Sequence, residues 1–123
     1  MLLSSDAIAT TYRVLDYTTH SLRVPDGVID RSTLLTAHTR QALPYQSVAD
    51  LVHFEPRELQ SMGISILLLT SAEPLQWPTP QFRANVAACG IGLEVLSLGA
   101  ACRTFNLLLS DARPTALLAI FSG

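Results

Sequence analysis

Three short apolar runs punctuate the second half of the chain. Ile64 to Thr70 reads ISILLLT, Gly92 to Ser97 reads GLEVLS, and Thr115 to Phe121 reads TALLAIF. Apolar runs this short, bounded by turn residues, predict strands. The first is apolar at nearly every position, as in a strand covered on both faces, and is the best candidate for a central strand. Two stretches between the runs carry helix signals. Thr79-Pro80 supplies an N-cap and a first helical residue, Phe82, Val86 and Cys89 make an apolar stripe, and Gly90-Ile91 closes the helix. Leu98 to Leu109 is the next helix, ending at Ser110-Asp111, and Pro114 opens the last strand. A shorter helix, Arg57 to Met62, starts behind Pro56 and stops at Gly63.

The first half reads differently. Thr11 to Val24 is rich in Thr, Tyr, Val and Leu, which suit strands, and Pro25-Asp26-Gly27 is a turn. Val28 to Thr36 reads as the returning strand, so the pattern predicts an N-terminal β-hairpin. Ala37 to Val52 fits no single element, with Pro44 at its centre. Residues 1–10 carry no pattern and are expected to fray. Strand, helix, strand, helix, strand with short connections predicts an α/β fold: a parallel or mixed sheet with helices on its faces. We read residues 1–123 as one such domain, without repeat or linker.

Composition narrows the function classes. Of 123 residues, 49% are apolar and only 15% charged, against about 25% charged in a typical soluble domain. A surface short of charge leaves room for an apolar contact patch; a large core accounts for the same numbers. The net charge is −2 and no basic run exists, which argues against nucleic-acid binding. All eight cationic residues are Arg, so neither a Schiff-base lysine nor a phosphate-loop lysine is available. This usage fits a GC-rich bacterial source. No apolar run is long enough to cross a bilayer, and no leader pattern opens the chain. Cys89 and Cys102 are far apart and outside any C-x-x-C pattern, so reduced thiols and a cytoplasmic location are expected.

Candidate chemistry concentrates between Cys89 and Asn106, CGIGLEVLSLGAACRTFN. On a helix starting near Leu98, Gly99, Cys102, Arg103 and Asn106 fall on one stripe at i, i+3, i+4 and i+7. The remaining faces are apolar, which predicts a buried helix with one polar stripe. Cys102, in the first turn beside Arg103, has the setting of a lowered thiol pKa, or is a small core residue. Arg103 and Asn106 have the chemistry to hold a carboxylate or phosphate at the end of the sheet. Alternatively, Arg103 pairs with Glu94 or Glu73 and supports the fold. His20, His38 and His53 all lie in the first half, and none is assignable as a base. Gly90-Ile91-Gly92 precedes its strand and so is no dinucleotide fingerprint. No serine-hydrolase or zinc spacing is present, and no cofactor or metal is expected. Trp77, among prolines, is either an interface anchor or packed on its own surface.

Gly90, Gly92, Glu94, Ala101, Cys102, Arg103, Thr104 and Asn106 together resemble the hallmark of the Mth-type domain family, a domain of unknown function. Arg31-Ser32-Thr33-Leu34 resembles its weaker hairpin motif, and the likeness spans Tyr12 to Phe121. Thr70-Ser71-Ala72 stands where relatives have a glycine-rich turn, Ser97-Leu98 where many have Asp-Thr, and Phe105 where tyrosine is usual. The resemblance implies three layers: a mixed sheet, helices on both faces, and the N-terminal hairpin. Relatives include a mitochondrial complex I assembly factor and an adipogenesis-associated protein, which implies a protein partner. The leading expectation is a small cytoplasmic accessory or assembly factor without catalysis, with Glu94, Cys102, Arg103 and Asn106 as its candidate pocket or interface. The alternative is a small-molecule-binding or thiol-dependent enzyme on Cys102, Arg103 and Asn106. Self-association as a homodimer is a third possibility.

Overall fold

A computed structural model describes residues 11–122. The residues expected to fray lie outside this range. A small antiparallel sheet holds β1 (Asp16–Tyr17), β2 (Leu22–Val24) and β3 (Gly27–Ile29). The main sheet holds β4 (Thr33–Leu35), β5 (Arg40–Ala42), β6 (Ile66–Ser71), β7 (Gly92–Val95) and β8 (Thr115–Ile120). Its order is β5-β4-β8-β6-β7. β6 runs parallel to both β7 and β8, while β4 is antiparallel to both β5 and β8. The sheet is therefore mixed. A 3-10 helix (Val48–His53), α1 (Arg57–Ser61), α2 (Pro80–Ala88) and α3 (Leu98–Ser110) complete the domain.

The apolar runs explain the layers. Leu67 and Leu69 of β6 join Ala116, Leu118 and Ile120 of β8 in one core, which Phe82 and Val86 of α2 and Leu59 of α1 cover. Leu68 joins Leu117 and Ala119 in a second core on the opposite face, under Ala101, Cys102 and Phe105 of α3. Strand residues alternate between faces, so a run without polar positions needs cover on both sides. The small sheet adds Leu22, Val24 and Ile29 to the α3 side.

The helix ends are set locally. The Thr79 hydroxyl accepts from the Phe82 amide at 3.1 Å, and Pro80 follows at the first position. α1 ends with Gly63 at φ 79°, Ile64 N–H donating to Leu59 at 3.0 Å and Gly63 N–H to Gln60 at 3.0 Å. This is the Schellman pattern. α3 ends the same way, but its left-handed residue is Ala112, at φ 57°. Arg113 N–H donates to Leu108 and Ala112 N–H to Leu109, each at 2.9 Å.

Three expectations need correction. The N-terminal hairpin exists, with Val24 opposite Gly27, but β1 also pairs with β2, making a three-stranded meander. The returning strand is not continuous: β3 stops at Ile29, and Thr33–Leu35 pairs in the main sheet. Buried Ser32 makes this transfer possible. Its hydroxyl donates to the Phe121 carbonyl at 3.1 Å and accepts from the Phe121 amide at 2.9 Å. Finally, α3 is not buried all round. Leu98, Ala101, Cys102 and Phe105 face the core, while Leu107 is 62% exposed. One face of a sheet contacts only one side of a helix.

Besides packing, a side chain of α3 fastens the chain that leads into the meander. Asn106 accepts from the Val14 amide and donates to the Val14 carbonyl, both at 2.8 Å. Asn106→Ala leaves both backbone groups short of a partner. Urea unfolding is expected to show a loss of about 2 kcal/mol, with faster hydrogen exchange at the Val14 amide. Ala112→Gly acts in the opposite direction. Ala112 is exposed, so no packing is lost, and glycine adopts positive φ without strain. Its unfolding midpoint is expected to rise, by about 0.5–1 kcal/mol of stability.

Candidate functional site

β6 and β7 are adjacent and parallel, yet their outgoing connections diverge. β6 leads to α2 on one face of the sheet, and β7 leads to α3 on the other. The crevice beyond the carboxyl ends of two such strands is where open α/β sheets bind ligands. A groove of ≈ 490 Å³ occupies this position. Glu73 follows β6, Ser97 to Gly99 follow β7, and the β1–β2 turn contributes Tyr17 to Thr19, with Arg103 beside them.

α3 presents its N-terminal end here. The Ser97 hydroxyl makes no capping bond, and no acidic residue occupies the first turn. The positive end of the helix is therefore not neutralised by a side chain of its own. Arg103, one turn in, is exposed. Its Nη1 reaches the Tyr17 hydroxyl across a long 3.4 Å contact. Among the described residues it forms no ion pair; Arg40–Asp26 is the pair that does form. The expected support from Glu94 or Glu73 is thus absent. Glu73 shares the groove without pairing. Glu94 sits exposed on the outer strand β7, opposite Leu68, and does not line the groove.

Gly99 explains how Tyr17 gets there. A Cβ at position 99 would lie 2.5 Å from the Tyr17 hydroxyl oxygen and 3.2 Å from Arg103 Nη1. A side chain here would push the exposed end of the Tyr17 ring off the first turn of α3. Tyr17 is the site residue that sequence reasoning missed, because it comes from 86 positions away. The available signal was Gly99 itself: a glycine inside a helix costs about 1 kcal/mol relative to alanine, so a close neighbour is one reason to keep it.

The rest of the stripe separates. Cys102 faces the core, 2% exposed. Burial pushes its thiol up to about 12, and the Arg103 charge offsets only part of this. Desolvation thus outweighs the helix end that favoured a thiolate. Asn106 spends both ends of its amide on Val14. Of the four candidate residues only Arg103 lines the groove, and the structure does not bring them together as one site.

A second hollow of ≈ 490 Å³ lies between β3 and β5. Three of its polar groups, Tyr12, Asp26 and Arg40, satisfy each other. The Asp26 carboxylate accepts from the Tyr12 hydroxyl and from Arg40, each at 2.7 Å, and Arg40 also donates to the Val28 carbonyl at 3.2 Å. The Tyr12 bond, with help from Arg40, holds the Asp26 carboxyl below its ordinary value, and the same bond raises the Tyr12 phenol. The Tyr12–Asp26–Arg40 network is closed on itself, with Asp30 and Arg31 of the lining outside it, whereas Arg103 keeps its donors at the end of the sheet. Among the described residues no group of three or more His, Cys, Asp or Glu is placed to hold a metal. None of the described helices is long and apolar enough to cross a membrane.

Solved structures share this fold. An NMR structure of a Xanthomonas campestris protein is similar at 26% identity and a TM-score of 0.80, covering 100% of this chain and 94% of that one. A Bordetella pertussis protein described as a Mth938-like domain is similar at 18% identity and a TM-score of 0.71, covering 100% and 94%. A Bartonella henselae protein described as an outer membrane protein is similar at 23% identity and a TM-score of 0.73, covering 92% and 96%. No curated protein sequence matches the chain. Residues 14–120 match the family described as proteins of unknown function, DUF498/DUF598. That span includes both described sheets and α1, α2 and α3, and the chain belongs to this family.

Proposed function

We propose that the protein works without catalysis, as an accessory or assembly factor acting through contact with another protein. One observation carries this reading. The groups on α3 best suited to chemistry are committed to the fold, and the polar group left facing outward is Arg103, on an open groove. A buried neutral thiol is a poor nucleophile. A shallow groove with a cation and a tyrosine at its rim suits a contact, since arginine and tyrosine are enriched in interface hot spots. The reading places the protein in the cytoplasm, in keeping with two unpaired cysteines. Burial of Cys102 counts against the thiol-dependent alternative.

Two measurements bear on this. Alkylation of native protein by iodoacetamide at neutral pH is expected to modify half-buried Cys89 first, with Cys102 far slower than a free cysteine. Fast alkylation of Cys102 returns the thiol enzyme to consideration. Affinity capture from lysate of the source cells, with wild type and a folded Arg103→Met variant, is expected to yield a defined partner that the variant retains less well. Empty captures from both soluble and membrane fractions refute the accessory role.

A further inference from the structure

We infer that the groove between the β1–β2 turn and the first turn of α3 takes a peptide segment of the partner carrying one carboxylate among apolar residues, with the carboxylate on Arg103. The inference rests on the accessory-factor reading and names what the groove recognises. Charge complementarity supports it. Arg103 is exposed and has no acidic partner among the described residues, and its one hydrogen bond is the long contact to Tyr17. A guanidinium offers five donors in a planar fork that matches a carboxylate. The Tyr17 hydroxyl, 42% exposed at the residue level, is a further donor beside it. Gly99 leaves room for both groups, since a Cβ there would displace the Tyr17 hydroxyl, 2.5 Å away, and crowd Arg103 Nη1 at 3.2 Å.

The groove also limits what binds. The Tyr17 ring, in a residue 42% exposed, provides apolar surface for aliphatic neighbours of the acid, over a floor to which buried Leu98 contributes little. Glu73 lies in the same lining and does not pair with Arg103. Its charge disfavours a second carboxylate nearby and tolerates a neutral or basic residue. The segment is therefore acidic at one position only. An open groove suits an extended chain better than a small solute, which would remain largely in water.

The test uses two capped pentapeptides, one with a single glutamate between leucines and its glutamine twin, titrated into the isotope-labelled whole chain by NMR. The glutamate peptide is expected to shift the amides of Tyr17 to Thr19 and of Leu98 and Gly99. It should bind about tenfold more tightly than its twin at low salt, with the preference shrinking as salt rises. Arg103→Met should erase the preference, and Glu73→Gln should keep it while tightening binding. Equal binding of the twins, no binding of either, or shifts on another face overturns the inference. So does inorganic phosphate producing the same shifts more strongly than the peptide. The comparison of twins on wild-type protein decides even where Arg103→Met fails to fold. Failure here alongside a successful capture removes the carboxylate and leaves the accessory role standing.

Discussion

β6 and β8 lie side by side with no polar residue between Leu67 and Leu69 or between Ala116 and Ile120. Strands of this kind have no face to give to water. Each must be covered twice, and the rest of the domain is what covers them. On one face the α2 side does this with local means: a capped helix, a short α1 and the 3-10 helix, which the loop after β6 ties in. Ser71 accepts from the Gln76 amide at 2.9 Å, and the Gln76 side chain accepts from the Val48 amide at 2.9 Å. On the other face the one described helix, α3, is too narrow. The meander fills what α3 leaves open.

This division gives the conspicuous polar residues their meaning. A meander of two- and three-residue strands cannot hold itself on a core, since isolated hairpins are marginal in water. Asn106 and Ser32 each bond both the amide and the carbonyl of one distant residue, as a neighbouring strand would. One joins the meander to α3 and the other joins the strand crossing to the end of β8. The motif around Cys102 thus reads largely as a joint. Its cysteine is the small residue that lets α3 lie close to the sheet, and its asparagine is the fastener. Arg103 alone is left over from the mechanics of folding.

The elements legible in the sequence are those whose causes are local. β6 follows from an uninterrupted apolar run, and α2 from Thr79-Pro80 at one end and Gly90 at the other. The illegible ones have distant causes. β5, fully exposed, is a strand only because β4 lies beside it, and β4 in turn rests on β8. The break between β3 and β4 depends on Ser32 finding Phe121, 89 positions later. The candidate stripe was correct as helical geometry. However, the rotation of α3 about its axis is set by Ala101 and Phe105 seating on the sheet, and that rotation turns Cys102 inward and Arg103 outward. The groove itself is half visible in the sequence: Arg103 stands out on its stripe, Glu73 is one of two acids that could pair with it, and Tyr17 is hidden by distance along the chain.

The outer strand has a bearing on crowding. Among the described residues β7 ends the sheet with one row of backbone groups unpaired, and Gly92–Val95 holds no proline that would deter a stray strand. Any chain zipping onto that margin would have to shelter the Glu94 carboxylate against itself, and a charge on an edge strand is one of the ways natural sheets stay finite. Glu94, expected in a pocket, instead puts a charge on the strand that borders the described sheet.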